Sequence, residues 1–189
     1  MGIEYELKFR ATPKNQAQLR RELPGQEQQL TMETTYYDTP DRALSRQYCT
    51  LRRRLENGVS VCTLKTPAGS LGRQEFELEA PDIRDALPQL SALSGIPLEG
   101  LTITPVCGAK FTRIAKTVVT PECTVEIALD QGVLIGGGRE LPLCEVEVEL
   151  KSGDVRYCDL FAKTLAARFG LKQEPKSKFR RALALYRGE

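Results

Sequence analysis

Cys49-Thr50-Leu51-Arg52-Arg53-Arg54-Leu55-Glu56-Asn57-Gly58-Val59-Ser60-Val61-Cys62-Thr63-Leu64-Lys65-Thr66 reads as two strand-like runs, Cys49–Glu56 and Val59–Thr66, around an Asn-Gly pair. Asn-Gly tolerates the positive φ at both central residues that a two-residue hairpin turn requires, so the stretch predicts an antiparallel hairpin. Successive side chains of a strand point to opposite faces. Arg52 and Arg54 therefore share one face beside Lys65 of the partner strand, and Arg53 takes the other.

The same alternation recurs outward from this hairpin. In the first segment Ile3, Tyr5, Leu7 and Phe9 oppose Glu4, Glu6, Lys8 and Arg10; in Gly72–Ala80, Phe76 and Leu78 oppose Arg73, Glu75, Glu77 and Glu79. In Leu141–Lys151, Cys144, Val146, Val148 and Leu150 oppose Glu145, Glu147, Glu149 and Lys151. Further extended runs are expected at Thr34–Asp38, Ala109–Val119 and Cys123–Asp130, with Gln131-Gly132 turning the chain into a short strand, Val133–Ile135. Helices are expected over Lys14–Leu23, over Asp82–Leu93 weakened by Pro88, over Val155–Phe169 after the Ser152-Gly153-Asp154 cap and before Gly170, and over the basic Lys176–Arg187. Gly136-Gly137-Gly138 lacks the strand-to-helix setting of a phosphate loop and reads as a turn. About eight strands in hairpin order, without strand–helix alternation, predict an α+β protein with an antiparallel sheet or barrel, formed as a single domain over residues 1–189.

Composition narrows the chemistry. The 189 residues carry a net charge of only +2, so no nucleic-acid or membrane partner is expected, and no apolar run is long enough to span a bilayer. The Met1-Gly2-Ile3-Glu4 start is not a signal peptide. Six scattered cysteines form no CxxC pair and read as buried free thiols of a cytoplasmic protein. Histidine is absent, which removes Ser-His-Asp, Cys-His and His-ligated zinc chemistry.

A wet face would account for any one charged strand alone. Yet Glu145, Glu147 and Glu149 stand about 7 Å apart along one face, as do Glu75, Glu77 and Glu79, and such like-charge crowding calls for cations. Oxygen clusters of this kind suit hard divalent ions such as Mg²⁺ or Mn²⁺. The cations are equally concentrated: Arg52, Arg54 and Lys65, then Arg113 and Lys116 in one strand, and Lys176 and Lys178 where a helix N-terminus adds attraction for anions. Carboxylates for metal interleaved with cations for anion fit a phosphate-rich ligand.

Glu4-x-Glu6-x-Lys8 resembles the ExExK motif of CYTH domains, the triphosphate tunnel metalloenzymes. Tyr36-Tyr37-Asp38-Thr39-Pro40, Leu51-Arg52-x-Arg54, Leu64-Lys65, Arg113, Glu126–Asp130, Glu145-x-Glu147-x-Glu149 and Ser177-Lys178 follow in the family's order, and the whole looks similar to bacterial inorganic triphosphatases. The resemblance implies a closed eight-stranded antiparallel tunnel with a charged interior and helices packed outside. It implies hydrolysis of inorganic triphosphate to diphosphate and phosphate; the alternatives are a nucleoside or thiamine triphosphatase, a class IV-type adenylate cyclase, or a non-catalytic polyphosphate-binding module. Arg52, Arg54, Lys65, Arg113 and Lys178 would hold phosphate, and Glu4, Glu6, Glu145 and Glu147 the metal, with Glu75, Asp130 and Glu149 close by. Lys8 would neutralise developing charge or assist proton transfer beside Glu4 and Glu6. In similar bacterial proteins a CHAD domain follows, so such a domain is an expected partner in a longer parent chain.

Overall fold

The computed structural model describes residues 2–69 and 72–189; the side chain of Ile3, assigned above to the apolar face, lies outside what is described. The first strand is broken at Tyr5 into β1 (Gly2–Glu4) and β2 (Glu6–Arg10). Then come α1 (Pro13–Glu22), β3 (Glu27–Asp38), α2 (Ala43–Arg46), β4 (Thr50–Glu56), β5 (Val59–Pro67), β6 (Arg73–Glu79) and α3 (Ile83–Ser94). The chain continues through β7 (Thr104–Val119), β8 (Cys123–Gly136), β9 (Arg139–Gly153), α4 (Val155–Phe169), β10 (Lys172–Gln173) and α5 (Lys178–Arg187). All the pairings are antiparallel, in the order β1-β6-β5-β4-β3-β7-β8-β9-β2-β10.

The β4–β5 hairpin forms as its turn residues dictate, with φ of 49° at Asn57 and 89° at Gly58. The odd face of β2 packs Leu7 and Phe9 against Val146 and Val148 of β9 and against α4 through Cys158, Ala162 and Phe169. Leu51, Cys62, Leu64 and Phe76 bury a second apolar face under α3, whose Ile83, Ala86, Leu87 and Leu90 are buried. Pro88 sits inside α3 without ending it.

Three features differ from the sequence reading. First, Gln131-Gly132 is not a turn: β8 runs unbroken to Gly136, and Gly132 stands opposite Phe111. A Cβ on Gly132 would come within 2.1 Å of the Lys110 carbonyl oxygen, so glycine is there to let two backbones approach. Second, α5 does not pack outside with the other helices. It lies on the charged face, where Phe179 meets Tyr36 with ring centroids 5.1 Å apart and the backbone of Ala182 rests on Gly136. Third, β3 is far longer than Thr34–Asp38, because its polar N-terminal half pairs with β7 from Glu27 onward.

Cys49, Cys62, Cys107, Cys123 and Cys158 are buried and Cys144 is half-buried, all as free thiols. Burial pushes Cys107 up to about 12 and Cys62 up to about 11, so neither is a thiolate at neutral pH. Among the described residues no helix is long and apolar enough to cross a membrane.

Candidate active site

Side chains from strands as far apart in the order as β4 and β9 line one cavity of about 400 Å³, so the sheet curls around it. Alternation delivers the inward residues: Glu4, Glu6 and Lys8 from the first strand, Arg52 and Arg54 from β4, Lys65 from β5, Glu75 from β6, Arg113 from β7, and Glu147 and Glu149 from β9. Lys178 arrives from the first turn of α5, beside its N-cap Ser177.

Strand register makes one wall acidic. Glu6 pairs with Glu149, and Glu149 with Glu126, so three carboxylates stand abreast on neighbouring strands. Like charges in register repel at Cβ separations of about 5 Å. Among the described residues only Lys8, 2.7 Å from Glu6, and Lys151, 2.9 Å from Glu149 and 3.6 Å from Glu126, relieve them. Burial raises the Glu149 carboxyl above its ordinary range, and the Glu4 and Glu126 charges push it the same way against Lys151. Burial opposes the charge on Lys8, but Glu6 and Glu147 outweigh it and leave the ammonium above its usual pKa.

The opposite wall is cationic and poorly paired. Arg52 is buried, its best carboxylate contact is 3.4 Å to Glu75, and its Nε has no partner among the described residues. Arg54 is buried too; it donates to the Thr34 hydroxyl at 3.2 Å and to Glu56 at 3.3 Å. Burial and the neighbouring Arg52 and Arg113 charges lower it to about 10. Lys65 is better satisfied, holding Glu4 at 2.6 Å and Glu75 at 3.3 Å. Arg53 lies on the other face and bonds Ser60 at 2.8 Å.

Beneath both walls is a neutralised ionic cluster. Asp130, Glu145 and Glu147 bring carboxylate oxygens within 4.8 Å of one another. The Lys178 ammonium sits among them, 2.7 Å from Asp130 and 2.8 Å from Glu147, and also bonds Glu145. Arg113 clamps Asp130 with two bonds of 2.8 Å and reaches Glu147 at 2.5 Å, while Arg181 bonds Glu145. Burial would raise Glu147, but Lys178, Arg113 and Lys8 hold it well below the carboxylate range. Burial prevails at Glu145 and raises it despite Lys178. The Phe111 ring underlies Arg54, Arg113 and Lys178 at 6.0, 5.8 and 5.1 Å, an aromatic floor for three buried cations.

The structure thus gathers most of the expected residues but not all. Asp130 and Glu145 are fully buried behind Lys178 and do not reach the cavity wall. Lys176 is exposed and outside it. Lys116 points away: its ammonium donates to the carbonyls of Arg20 and Leu23 at 2.7 and 2.8 Å and so ties down the C-terminus of α1. Glu126, Glu77, Arg73 and Lys151, on inward positions of charged strands, line the cavity beyond the expected set. Arg181 was unforeseen; its signal is the three-residue spacing from Lys178 on one helix face.

A curled antiparallel sheet whose concave face opposes carboxylates to guanidiniums defines a pocket for a multiply charged oxyanion and hard cations. The CYTH domain profile matches residues 2–183, and the chain belongs to that family. An inorganic triphosphatase of Haemophilus influenzae is 34% identical over 96% of this chain, which covers 54% of that protein; the chain spans about half the length of this curated relative. Among solved structures, a putative adenylyl cyclase from Hippeastrum described as having a dominant triphosphatase activity superposes with a TM-score of 0.69 at 17% identity, covering 100% of this chain and 96% of that one. A Pyrococcus horikoshii protein does so with a TM-score of 0.66 at 22% identity, covering 96% and 99%. These two share the fold.

Proposed function

We propose that this domain hydrolyses inorganic triphosphate to diphosphate and phosphate with Mg²⁺ or Mn²⁺, inside a closed eight-stranded tunnel. Closure is supported by the pairing of the first strand on both sides: β1 with β6, and β2, one residue later, with β9. Counting β1 and β2 as one strand and setting aside the two-residue β10 leaves eight. The observation that carries the chemistry is the row Glu126–Glu149–Glu6 lining the same cavity as the underpaired Arg52 and Arg54. Each wall is electrostatically unfavourable alone, and metal with polyanion satisfies both.

The donor set fits a hard ion: Glu4, Glu6, Glu147 and Glu149 offer only oxygens, with Glu75 and Glu126 adjacent, and no imidazole or reactive thiolate competes. A divalent ion bound there supplies positive charge to phosphate oxygens and acidifies water. The protein's own residues bind and orient. Arg52 and Arg54 offer forked donors to phosphate. Lys65, paired with Glu4 at 2.6 Å, would be free to hold phosphate if Glu4 were a metal ligand. Lys178, held by Asp130 and Glu145, and Arg113, held by Asp130, keep these supports when Glu147 turns to a metal, and they offer positioned cations to the substrate. Lys8, 2.7 Å from Glu6 on the cavity wall, offers a positive charge to the phosphates. Asp130 and Glu145 serve here as supports for Lys178 instead of metal ligands, and Lys176 takes no part. Free, mostly buried thiols agree with a reducing cytoplasm.

The test is phosphate release from triphosphate, ATP and thiamine triphosphate, with and without metal. Turnover of triphosphate should vanish in EDTA and return with Mg²⁺ or Mn²⁺. Full activity in chelator, or binding without turnover on every substrate, would defeat the hydrolase reading.

A further inference from the structure

A second cavity, of about 570 Å³, opens directly off the first and shares Lys8, Thr50, Arg73, Ser177 and Phe179 with it. Its charge is unlike that of its neighbour. In the first cavity carboxylates equal cations in number; in the second, Lys8, Arg46, Arg73, Arg180 and Arg187 line the walls without one carboxylate. Arg180, on the first turn of α5, is exposed and its guanidinium has no partner among the described residues. Among the described residues Arg187 has only Glu189, at 3.9 Å. Arg73 spends one nitrogen on three acceptors, the Tyr48 and Lys65 carbonyls and the Thr50 hydroxyl, which fixes the guanidinium at the junction of the two cavities. Arg46 is held by Asp41 at 2.6 Å and Lys8 by Glu6 at 2.7 Å, both from outside the groove's lining, so Arg180 and Arg187 are its underpaired cations; among the described residues no carboxylate lines the groove to bind metal.

We propose that this groove is an outer anion subsite holding the part of a linear polyphosphate that extends beyond the three phosphates in the first cavity. The inference rests on the triphosphate reading of that cavity and widens its substrate class to longer chains. Lys8 and Arg73 line both cavities, so a continuous anion meets cations at every step from one to the other. The groove lacks acidic side chains and so carries no site for the metals that the first cavity gathers. Its contribution is binding, and it adds nothing to the chemical step.

The experiment compares KM for triphosphate with KM for a polyphosphate of defined length well above three, in the wild type, in Arg46→Ala/Arg180→Ala and in Arg180→Glu, with thermal midpoints recorded alongside. Loss of one charged contact predicts a rise of about tenfold in KM for the long chain. Triphosphate KM and kcat should stay unchanged. Long-chain KM that stays flat in both variants, or rises together with that of triphosphate, overturns the subsite, as does a long chain that neither binds nor reacts in the wild type. If triphosphate itself is not hydrolysed, the catalytic reading fails separately. Long-chain binding by calorimetry in Ca²⁺, weakened in Arg180→Glu, would then still support the groove, and unchanged binding would remove it.

Discussion

Replacing Arg52 or Arg54 by alanine should move binding and stability in different directions, because each is a buried cation with weak counter-ions. The Arg52 contact to Glu75 is 3.4 Å long and its Nε is unpartnered, so truncation gives up little in the free protein and removes the cost of a desolvated charge. The thermal midpoint should hold or rise. With substrate bound, one charged hydrogen-bonding partner is worth about 1.5–3 kcal/mol, which weakens triphosphate affinity by roughly 10- to 150-fold. Lysine at either position should restore only part of this, since the planar fork is lost. Arg53→Ala is the internal control. It gives up one bond to Ser60 on the opposite face, about 0.5–1.5 kcal/mol of stability, and leaves affinity alone. Calorimetric titration of triphosphate in Ca²⁺, paired with thermal melts, reads both quantities. The face assignment fails if Arg53→Ala weakens binding as much as its neighbours do. The charge-imbalance argument fails if Arg52→Ala unfolds the protein.

Lys178→Met should do the reverse and destabilise strongly, by about 3–5 kcal/mol, because it strands Asp130, Glu145 and Glu147 without their shared cation; a denaturant midpoint near wild type would refute the cluster. The Glu147 carboxyl lies well below its unfolded value of about 4.3, so the native state binds fewer protons and this contribution, complete above that pH, fades as pH falls. Glu145, raised by burial, works against it; Glu147→Gln should therefore flatten the acid limb of metal-free stability as pH falls below about 5, and an unaltered slope would contradict the pairing. Gly132→Ala should lower the thermal midpoint by an amount typical of a buried backbone clash, because its methyl collides with the Lys110 carbonyl and Phe111 Cα at 2.1 and 2.5 Å; a neutral result would mean that β8 does turn there.

What the sequence disclosed was whatever local periodicity and turn chemistry govern. The faces of β2, β4, β6 and β9 follow from alternation alone, and Asn57-Gly58 and the Asp154 cap behave as their side chains require. What it hid depends on partners far along the chain. Glycine at position 132 is a turn former by composition, and only the closeness of Phe111 reveals it as a spacer. The amphipathic α5 could cover either face of a sheet; its place on the charged one is visible only through Lys178 among Asp130, Glu145 and Glu147. The acidic row is likewise a product of register: Glu126, Glu149 and Glu6 are distant in sequence and adjacent only across strands. Lys116 shows the limit of reading charge as function, since its parity already pointed away from Arg113.

The break at Tyr5 bears on how the protein is made. The segment Gly2–Arg10 is made before both of its neighbours, for β6 ends at Glu79 and β9 at Gly153. At about 5–20 residues per second, the segment waits roughly 7–30 s of synthesis for the second of them. Until β6 is made neither edge of the segment has its partner, and until β9 is made one still lacks it; an open strand edge is the form most prone to pair with another chain. Glu4, Glu6 and Lys8, spaced along one side of it, are the kind of charges that discourage such pairing. Glu4 and Glu6, proposed above as metal ligands, would thereby have a second use before the sheet is complete.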